Sequence, residues 1–308
     1  MATPITPTPI TPTELTPTEL TPTELERYRR QMMLPGLGAT GQQRLKQTTA
    51  LVTGVGGLGG TAALYLAVAG VGKLILVRGG DLQRDDLNRQ VLMTDDWVGQ
   101  PRVFKAQETL TKLNPDITVE AVCEYVTDSN IDALVQRADI ALDCAFDFKE
   151  RDLLNAACVR QGKPMIEAAM NSMEAYLTTI VPGETPCLTC LFPEKPEWDR
   201  WGFGVLGAVS GTLACLASLE AIKLITGLGD PLLGQLLTMD LARAEFAKRR
   251  AYHDPNCVTC GALKSPLNSP LNSPENKAAS QQHTLADRPL SHPLHSHTLL
   301  SHSSFAHC

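Results

Sequence analysis

The sequence of 308 residues contains no long run of lysine or arginine, and its formal net charge is −6. Binding to nucleic-acid phosphates needs a clustered basic face, so a nucleic-acid partner is not expected. The N-terminus, MATPITPTPI, also lacks a basic segment followed by an apolar one, so secretion is not indicated. We therefore predict a cytoplasmic protein, in which the nine cysteines stay free or bind metal.

Charge is also missing from the stretch 47–72, which hydropathy alone would flag as a membrane span. Seven glycines divide this stretch into a strand, a loop and a buried helix. We interpret it as protein core and expect no membrane partner. An apolar content of 43% with 19% charged residues is ordinary for a globular chain with a sizeable core.

Both ends of the chain differ in composition from the middle. Residues 1–23 repeat Thr-Pro units and run into three copies of TPTEL at 11–25, a composition that cannot build a packed core. Residues 263–308 are rich in serine and contain six histidines, which could bind a metal weakly, although a solvated low-complexity tail is the preferred interpretation. The prediction is a disordered segment 1–23, a folded domain 24–262 and a disordered tail 263–308.

Within the folded region, β-rich runs alternate with helical patterns. Strands are predicted at 49–55, 73–77, 118–126, 140–145 and 164–170, and helices at 59–70, 101–114, 129–138 and 148–161. This alternation predicts an α/β, Rossmann-like fold with a mainly parallel sheet and helices on both faces. The strand at 174–182 follows too closely for a crossover helix, so the sheet should end in antiparallel strands. The uncharged run 202–219 opens a long buried helix that ends at Gly227.

A glycine loop, Gly54-Val55-Gly56-Gly57-Leu58-Gly59, separates the first strand from its helix. Glycines at this place let backbone amides approach a phosphate at the helix N-terminus. The loop fits a dinucleotide oxidoreductase and an ATP-using adenylator equally, and a purely structural turn also fits. An acid at the end of the second strand usually holds the ribose, but Arg78 stands there, which would suit the 2′-phosphate of NADP.

Two Cys-x-x-Cys pairs, 66 residues apart, provide four possible metal ligands: Cys187, Cys190, Cys257 and Cys260. A single pair could be a redox site, whereas two pairs complete a closed tetrahedral Zn²⁺ site. Because such a site has no open coordination position, its predicted role is structural. We predict a four-cysteine zinc clip.

Several segments together resemble the HesA/MoeB/ThiF family, relatives of the ubiquitin-activating enzymes. The matching segments are ERYRRQMMLPG (26–36), GVGGLGG (54–60), DLNRQVL (86–92), VGQPRV (98–103), LDCAFDFKERDLLN (142–155) and the paired Cys-x-x-Cys sequences. The phrases VRGGD, MTDDWVG and FPEKPEWDR resemble the HesA branch, which is associated with nitrogen-fixing cyanobacteria. The resemblance covers nearly the whole folded region.

This resemblance implies a protein that binds ATP and Mg²⁺ and adenylates the C-terminal glycine of a small ubiquitin-fold sulfur carrier. It implies that Gly54, Gly56, Gly57 and Gly59 line the nucleotide phosphates and that Arg89 binds phosphate. Arg30 matches the arginine that reaches into the neighbouring subunit's site, which requires a homodimer. Without the resemblance, a surface salt bridge would be the preferred interpretation of Arg30, and Arg89 would stay undecided. The crossover segment 194–207 contains no cysteine, so a thioester step is not expected.

The sequence departs from the family pattern at four positions around the nucleotide. The ribose-binding acid aligns with Arg78, or with Asp81 if the loop slips, and an asparagine of the family motif is Asp86. The phosphate-binding lysine aligns with Arg102, for which Lys105 is a possible substitute. The metal-binding aspartate aligns with Phe146, and a phenylalanine cannot bind Mg²⁺. Asp147 could replace it only if the loop turns differently.

Three functions are therefore compared. The preferred one is ATP-dependent adenylation of a small ubiquitin-fold sulfur-carrier-like protein for sulfur or metal-cofactor assembly, with a nitrogenase-related context. The second is a scaffold protein on the same fold with a degenerate nucleotide site. The third is an NADP-linked oxidoreductase, which only Arg78 and the glycine loop support.

Overall fold

Residues 19–195 and 204–263 are described by the structure, which is a computed structural model. Their strands are β1 (Thr49–Thr53), β2 (Lys73–Val77), β3 (Thr118–Val122), β4 (Ile140–Asp143), β5 (Met165–Asn171), β6 (Glu174–Ile180), β7 (Gln235–Asp240) and β8 (Glu245–Arg250). Their helices are α1 (Pro22–Arg27), α2 (Arg29–Met32), α3 (Gly38–Gln47), α4 (Gly57–Ala69), α5 (Arg102–Leu113), α6 (Ile131–Gln136), α7 (Phe148–Gln161), α8 (Leu188–Leu191) and α9 (Gly207–Thr226). Short 3-10 turns lie at Arg84–Asn88 and Asp95–Trp97.

All eight strands form one sheet with the order β3-β2-β1-β4-β5-β6-β7-β8. The strands from β3 to β5 pair in parallel, and those from β5 to β8 pair antiparallel. The predicted Rossmann-like sheet with antiparallel C-terminal strands is thus confirmed. The strand order reverses between β1 and β4, and ligands of such sheets bind at this point, beyond the carboxyl ends of the strands.

Buried apolar side chains cover both faces of the sheet. Leu51 and Val52 are neighbours on β1, yet Val52 packs in one core with α4 and α9, and Leu51 packs in another with α6 and α7. Successive strand residues point to opposite faces, so each face needs its own helices. This arrangement fixes the loop after β1 between two rigid layers.

Helix α9 is long and apolar enough to cross a membrane by length and composition alone. In the fold it packs against α4, β5 and β6, and 56% of its most apolar stretch is buried. Core packing therefore accounts for its composition, as predicted. It begins at Gly207 rather than at 202 and ends before Gly227, whose φ of +77° provides the left-handed cap.

Helical structure begins two residues before the predicted boundary between residues 23 and 24. Helix α1 begins at Pro22, and the hydroxyl of Thr21 accepts a hydrogen bond from the Glu24 backbone amide at 3.2 Å. Glu24 is buried and forms an ion pair of 2.7 Å with Lys46 on α3. The folded region therefore includes this capping turn. Residues 1–18 and 264–308, the remainder of the two predicted tails, lie outside the described residues.

Candidate nucleotide site and cysteine clip

A cavity of about 160 Å³ lies at the carboxyl ends of β1, β2 and β4. The glycine loop forms one wall, and four arginines from separate elements contribute to the lining. The lining residues are Gly54, Gly56, Gly57, Leu58, Arg78, Asp86, Arg89, Gln90, Arg102, Cys144, Ala145, Phe146, Arg151, Met170, Val205 and Ser210. The predicted residues Gly54, Gly56, Gly57, Arg89 and Arg102 are therefore brought together.

The glycines of the loop are required for two different reasons. Gly54 has φ +104°, and a Cβ atom there would lie 2.5 Å from the carbonyl oxygen of Cys144. A Cβ atom on Gly59 would lie 2.0 Å from the carbonyl oxygen of Gly54, so Gly59 closes the turn without lining the cavity. At Gly56 the nearest atom would be the Gln90 Nε2, 3.9 Å away. Protein packing therefore does not require glycine at 56. A ligand that lies against the backbone would require it, because a side chain there would occupy the ligand's space.

Two further features of the cavity fit a phosphate-bearing ligand. Helix α4 begins at the loop, and its N-cap, Gly56, provides no side-chain hydrogen bond to the first amides. Those amides and the helix dipole favour an anion. The buried oxygen Oε1 of Gln90 has no hydrogen-bond partner among the described residues, so it can accept a hydrogen bond from a hydroxyl or amino group of such a ligand, though not from a phosphate oxygen. These observations fit the nucleotide that the glycine loop predicts.

Asp86 bridges two arginines of the cavity. Its Oδ1 lies 2.9 Å from the Arg89 Nη2, and its Oδ2 lies 3.0 Å from the Arg102 Nη1. Arg89 also donates to the Asp85 carbonyl oxygen and the Asn88 Oδ1, at 2.7 and 2.8 Å. The two departures from the family pattern, Asp86 for asparagine and Arg102 for lysine, are therefore coupled. The carboxylate of Asp86 binds the guanidinium of Arg102.

A second buried ion cluster lies beside the cavity, on β4, β5 and α7. Asp143 and Glu167 are register partners on adjacent strands, and both are fully buried. The Arg151 Nη1 donates to Glu167 Oε1 at 2.8 Å and lies 3.8 Å from Asp143 Oδ2. The Tyr176 hydroxyl donates to the same Glu167 oxygen at 3.0 Å. Burial, with the Asp143 charge beside it, raises the pKa of Glu167 well above its ordinary value.

One guanidinium therefore faces two buried carboxyl groups. Burial opposes the charged form of Arg151, but the Asp143 and Glu167 charges raise its pKa overall. If both carboxyls were ionised, the cluster would keep an uncompensated buried charge, which is costly. A proton on Glu167, which its raised pKa favours, would make Asp143, Glu167 and Arg151 neutral together and keep Arg151 at the cavity wall.

Several predicted site residues lie outside the lining. Asp81 is exposed, and its backbone carbonyl accepts a hydrogen bond from Arg102. The ammonium of Lys105 lies 5.2 Å from the Trp97 ring centroid and pairs with Glu108 at 3.3 Å. Arg30 is exposed on α2. Its predicted role in a neighbouring subunit's site stays a prediction.

Asp147 does not provide a carboxylate to the cavity wall. It is the N-cap of α7, and its Oδ1 accepts a hydrogen bond from the Glu150 backbone amide at 2.9 Å. Phe146, where the family pattern has its metal-binding acid, lines the cavity. Among the described lining residues Asp86 is the only carboxylate, and it is bound to two arginines. The described cavity residues therefore do not fit Mg²⁺, which prefers free oxygen ligands.

The four clip cysteines converge on one point. Their sulfur atoms all lie within 4.8 Å of one another. Cys187 Sγ lies 4.0 Å from Cys190 Sγ and 3.7 Å from Cys257 Sγ, and the Cys190 and Cys260 sulfurs are 3.4 Å apart. Tetrahedral Zn–S bonds of about 2.3 Å require sulfurs about 3.8 Å apart. The cluster fits a zinc ion, and we call these four residues the cysteine clip.

Surrounding hydrogen bonds fix the clip to the rest of the fold. Leu188 on α8 donates its backbone N–H to Asn155 Oδ1 on α7 at 3.0 Å. The hydroxyls of Thr189 and Thr259, one in each Cys-x-x-Cys turn, lie 2.9 Å apart. The clip thus joins the segment after β8 to α7 and α8.

Sequence reasoning missed several residues that the fold brings to the cavity. Arg151, Asp143 and Glu167 form its buried ion cluster, and Gln90 and Ser210 lie in its lining. The segment 142–155 contains Asp143 and Arg151, so its resemblance to the family was an available signal. Glu167 occupies an interior strand position, where an acid is rare unless it is paired.

Comparison with known proteins agrees with this architecture. The family model described as "ThiF family" matches residues 28–259. Protein HesA, heterocyst, of Trichormus variabilis is 75% identical over 237 residues, covering 77% of this chain and 89% of that protein. The SAMP-activating enzyme E1 of Haloferax volcanii is 39% identical over 241 residues, with coverage of 77% and 89%.

Among solved structures, E. coli MccB with ATP has a TM-score of 0.70 and 26% identity, and the match covers 78% of this chain and 75% of MccB. With the fold, the loop and the cysteine pairs in place, the chain belongs to the ThiF family.

Proposed function

We propose that this protein uses ATP to adenylate the C-terminus of a small ubiquitin-fold sulfur-carrier-like protein. The observation that carries the proposal is the cavity, where a glycine loop and a helix N-terminus meet Arg89 and Arg102. Membership of the ThiF family supports it, as do relatives named as an activating enzyme E1 and as adenylyltransferases. In this reaction a carboxylate oxygen of the carrier attacks the α-phosphorus, and the bond to the bridging oxygen breaks to release pyrophosphate.

The charge that develops on the departing pyrophosphate determines what the residues do. Backbone amides of the loop and of the first turn of α4 would face the phosphates, and Arg89 and Arg102 line the same cavity. Fixed donors of this kind stabilise the transition state more than the substrate. Asp86 keeps the two guanidiniums in place before the nucleotide binds.

We propose little dependence of nucleotide binding on Mg²⁺. Guanidinium groups are gathered in the cavity, while no free carboxylate lines its described part. Asp147 would have to leave its capping position to bind the metal.

The cysteine clip is proposed to hold a structural zinc ion, and no covalent thioester step is proposed. Cys144 lines the cavity, but burial raises the pKa of its thiol, and a thiol is a weak nucleophile. The proposed setting is the cytoplasm, without a nucleic-acid or membrane partner. Sulfur or metal-cofactor assembly, related to nitrogenase, is the proposed context.

The test of the central proposal is ATP–pyrophosphate exchange with candidate carriers. Exchange should require the carrier and disappear when its terminal glycine is deleted. Arg89→Ala should lower the exchange rate by about 10²- to 10³-fold, as losses of transition-state donors do. Arg84→Ala is the matched control, because Arg84 lies in the same turn but is exposed and paired with Asp95. Equal rates for the two variants, or no exchange with any carrier, would refute the proposal.

We also propose a homodimer in which Arg30 completes the partner's site. Arg30→Ala and Arg89→Ala should each be inactive alone. When they are mixed, about a quarter of the sites should recover, because one site in each hybrid dimer then has both arginines. Light scattering that shows a strict monomer would contradict this part.

A scaffold with a degenerate nucleotide site is the second candidate, and Phe146 at the metal position is the observation that favours it. ATP binding without any exchange would support it. An NADP-linked oxidoreductase has less support, because the guanidinium of Arg78 already faces a carboxylate, that of Glu150.

A further inference from the structure

Arg78 occupies the position at the end of β2 where Rossmann folds usually present an acid to the ribose. It lines the cavity, and only 16% of its side chain is exposed. Its Nη1 lies 3.6 Å from Glu150 Oε2, and its guanidinium carbon lies 5.1 Å from the centroid of the Tyr125 ring. The arginine is therefore held between a carboxylate from α7 and an aromatic ring that follows β3.

Two glycines make room for this ring. A Cβ atom on Gly79 would lie 2.7 Å from Tyr125 Cδ2, and one on Gly80 would lie 2.6 Å from the Tyr125 hydroxyl oxygen. The backbone after the ring is fixed as well, since Asn130 Nδ2 donates to the Tyr125 carbonyl oxygen at 2.9 Å. The Arg-Gly-Gly sequence thus provides a guanidinium together with a place for the ring that supports it.

Glu150 is the group in this arrangement whose carboxylate can still accept hydrogen bonds. Its side chain is 13% exposed, and burial raises its pKa despite the opposing charge of Arg78. The distance of 3.6 Å to Arg78 is too long for a hydrogen bond. Within residues 19–195 and 204–263, no hydrogen bond to its carboxylate is formed. The carboxylate is only partly buried, so its oxygens keep acceptor capacity that a ligand could use.

The fold places the Glu150 carboxylate near the end of β2, where Rossmann folds usually present the ribose-binding acid. Strands β2 and β4 flank β1 on its two sides, and α7 begins a few residues after β4. The first turn of α7 therefore brings Glu150 to Arg78, which lines the cavity, although Glu150 itself is not one of the lining residues. An acid thus lies beside the end of β2, although it comes from α7.

We propose that Glu150, held by Arg78 on Tyr125, accepts the ribose hydroxyls of the bound nucleotide in place of an acid on β2. This inference rests on the proposed function, because it concerns the nucleotide of the same site. Two hydroxyl donors complete the hydrogen bonds of the Glu150 carboxylate. Arg78 then acts as a positioning residue and leaves no place for a 2′-phosphate.

Calorimetry with ATP, 2′-deoxy-ATP, 3′-deoxy-ATP, ITP and NADPH tests the assignment. The wild-type protein should bind at least one deoxy analogue about 10- to 100-fold more weakly than ATP, since a hydrogen bond to a charged group is lost. ITP retains both hydroxyls and should bind like ATP. Glu150→Gln and the shorter Glu150→Asp should both lose this discrimination, and Asp152→Asn on the same helix should retain it.

Thermal unfolding of each variant shows that it is folded before its binding is compared. Unchanged discrimination in folded Glu150→Gln and Glu150→Asp would overturn the assignment while leaving ATP binding intact. Weaker binding of ITP alone would indicate that Glu150 contacts the base. Tighter binding of NADPH than of ATP would indicate that Arg78 binds a 2′-phosphate. Either result overturns the proposal. No ATP binding by the wild-type protein would refute the proposed function and this inference together.

Discussion

The cysteine clip and the glycine-loop cavity differ in where their parts come from. The clip consists of two short turns with the same Cys-x-x-Cys spacing, and each turn provides two adjacent sulfurs. The cavity instead combines Arg78, which follows β2, and residues of α5, α7 and α9 with the loop after β1. The clip therefore depends on two local sequences, whereas the cavity depends on charge pairs between distant segments. Substitutions in the two regions should therefore differ in how much they change stability and in whether their effects add.

The largest effect is expected at the clip. Cys187→Ser should lower the free energy of unfolding by several kcal/mol, because apparent binding energies at structural zinc sites reach about 10–16 kcal/mol. Metal analysis of the purified wild-type protein should find one zinc ion per chain, and urea denaturation measures the loss. Cys215→Ser is the matched control, because Cys215 is exposed on α9. A metal-free preparation that is as stable as the wild type would contradict the prediction.

A smaller but strongly non-additive effect is expected at Asp143 and Glu167. Asp143→Asn and Glu167→Gln each leave one carboxyl to pair with Arg151, so each should cost little. The double variant leaves Arg151 buried without a counter-charge and should cost about 3–5 kcal/mol. A double-mutant cycle by chemical denaturation measures this coupling. Adding Arg151→Met to the double variant should recover part of the lost stability. If the effects of the two single substitutions simply add in the double variant, the two carboxyl groups do not share the charge of Arg151.

The same cluster predicts a pH dependence with a definite sign. Burial raises the pKa of Glu167 in the folded protein above the ordinary value of 4.5. The folded state then holds a proton that the unfolded state releases, so this contribution to stability is complete below pH 4.5 and is lost as pH rises. The free energy of unfolding of Glu167→Gln, relative to that of the wild type, should therefore rise from acidic towards neutral pH. A constant difference in unfolding free energy across that range would contradict it.

The smallest effect is expected at Asp147. As an N-cap of α7 it should contribute about 1 kcal/mol, so Asp147→Ala should lower stability by that amount. Asp147→Asn preserves a capping oxygen and should be nearly as stable as the wild type. Neither substitution should change ATP affinity, with or without magnesium. If Asp147→Asn is stable but alters magnesium-dependent binding, Asp147 binds the metal and the cavity has been assigned incorrectly.

These contrasts explain how far the sequence alone leads. The order of the central strands and helices follows from local periodicity, and the sequence KLILV predicts the bounds of β2 correctly. Gly54, Arg89 and the clip cysteines belong to motifs in which neighbours along the chain determine the role. Glu150 and Asp86 have partners from other elements, Arg78 and Arg102, and such pairing depends on how the elements pack. For Asp147 the sequence indicates an acid near the site, but it does not distinguish a helix cap from a metal ligand.

Helix α7 joins the two regions, which affects how a metal requirement can be measured. Its first turn contains Glu150 and Arg151, and Asn155 accepts the Leu188 amide beside the clip. Glu150 and Asn155 are about 7.5 Å apart along the helix axis. A chelator strong enough to strip the clip would release this anchor and disturb the nucleotide residues, even if magnesium had no role there. The magnesium requirement should therefore be measured by omitting the ion from zinc-loaded protein, because loss of activity in EDTA would not distinguish the two metals.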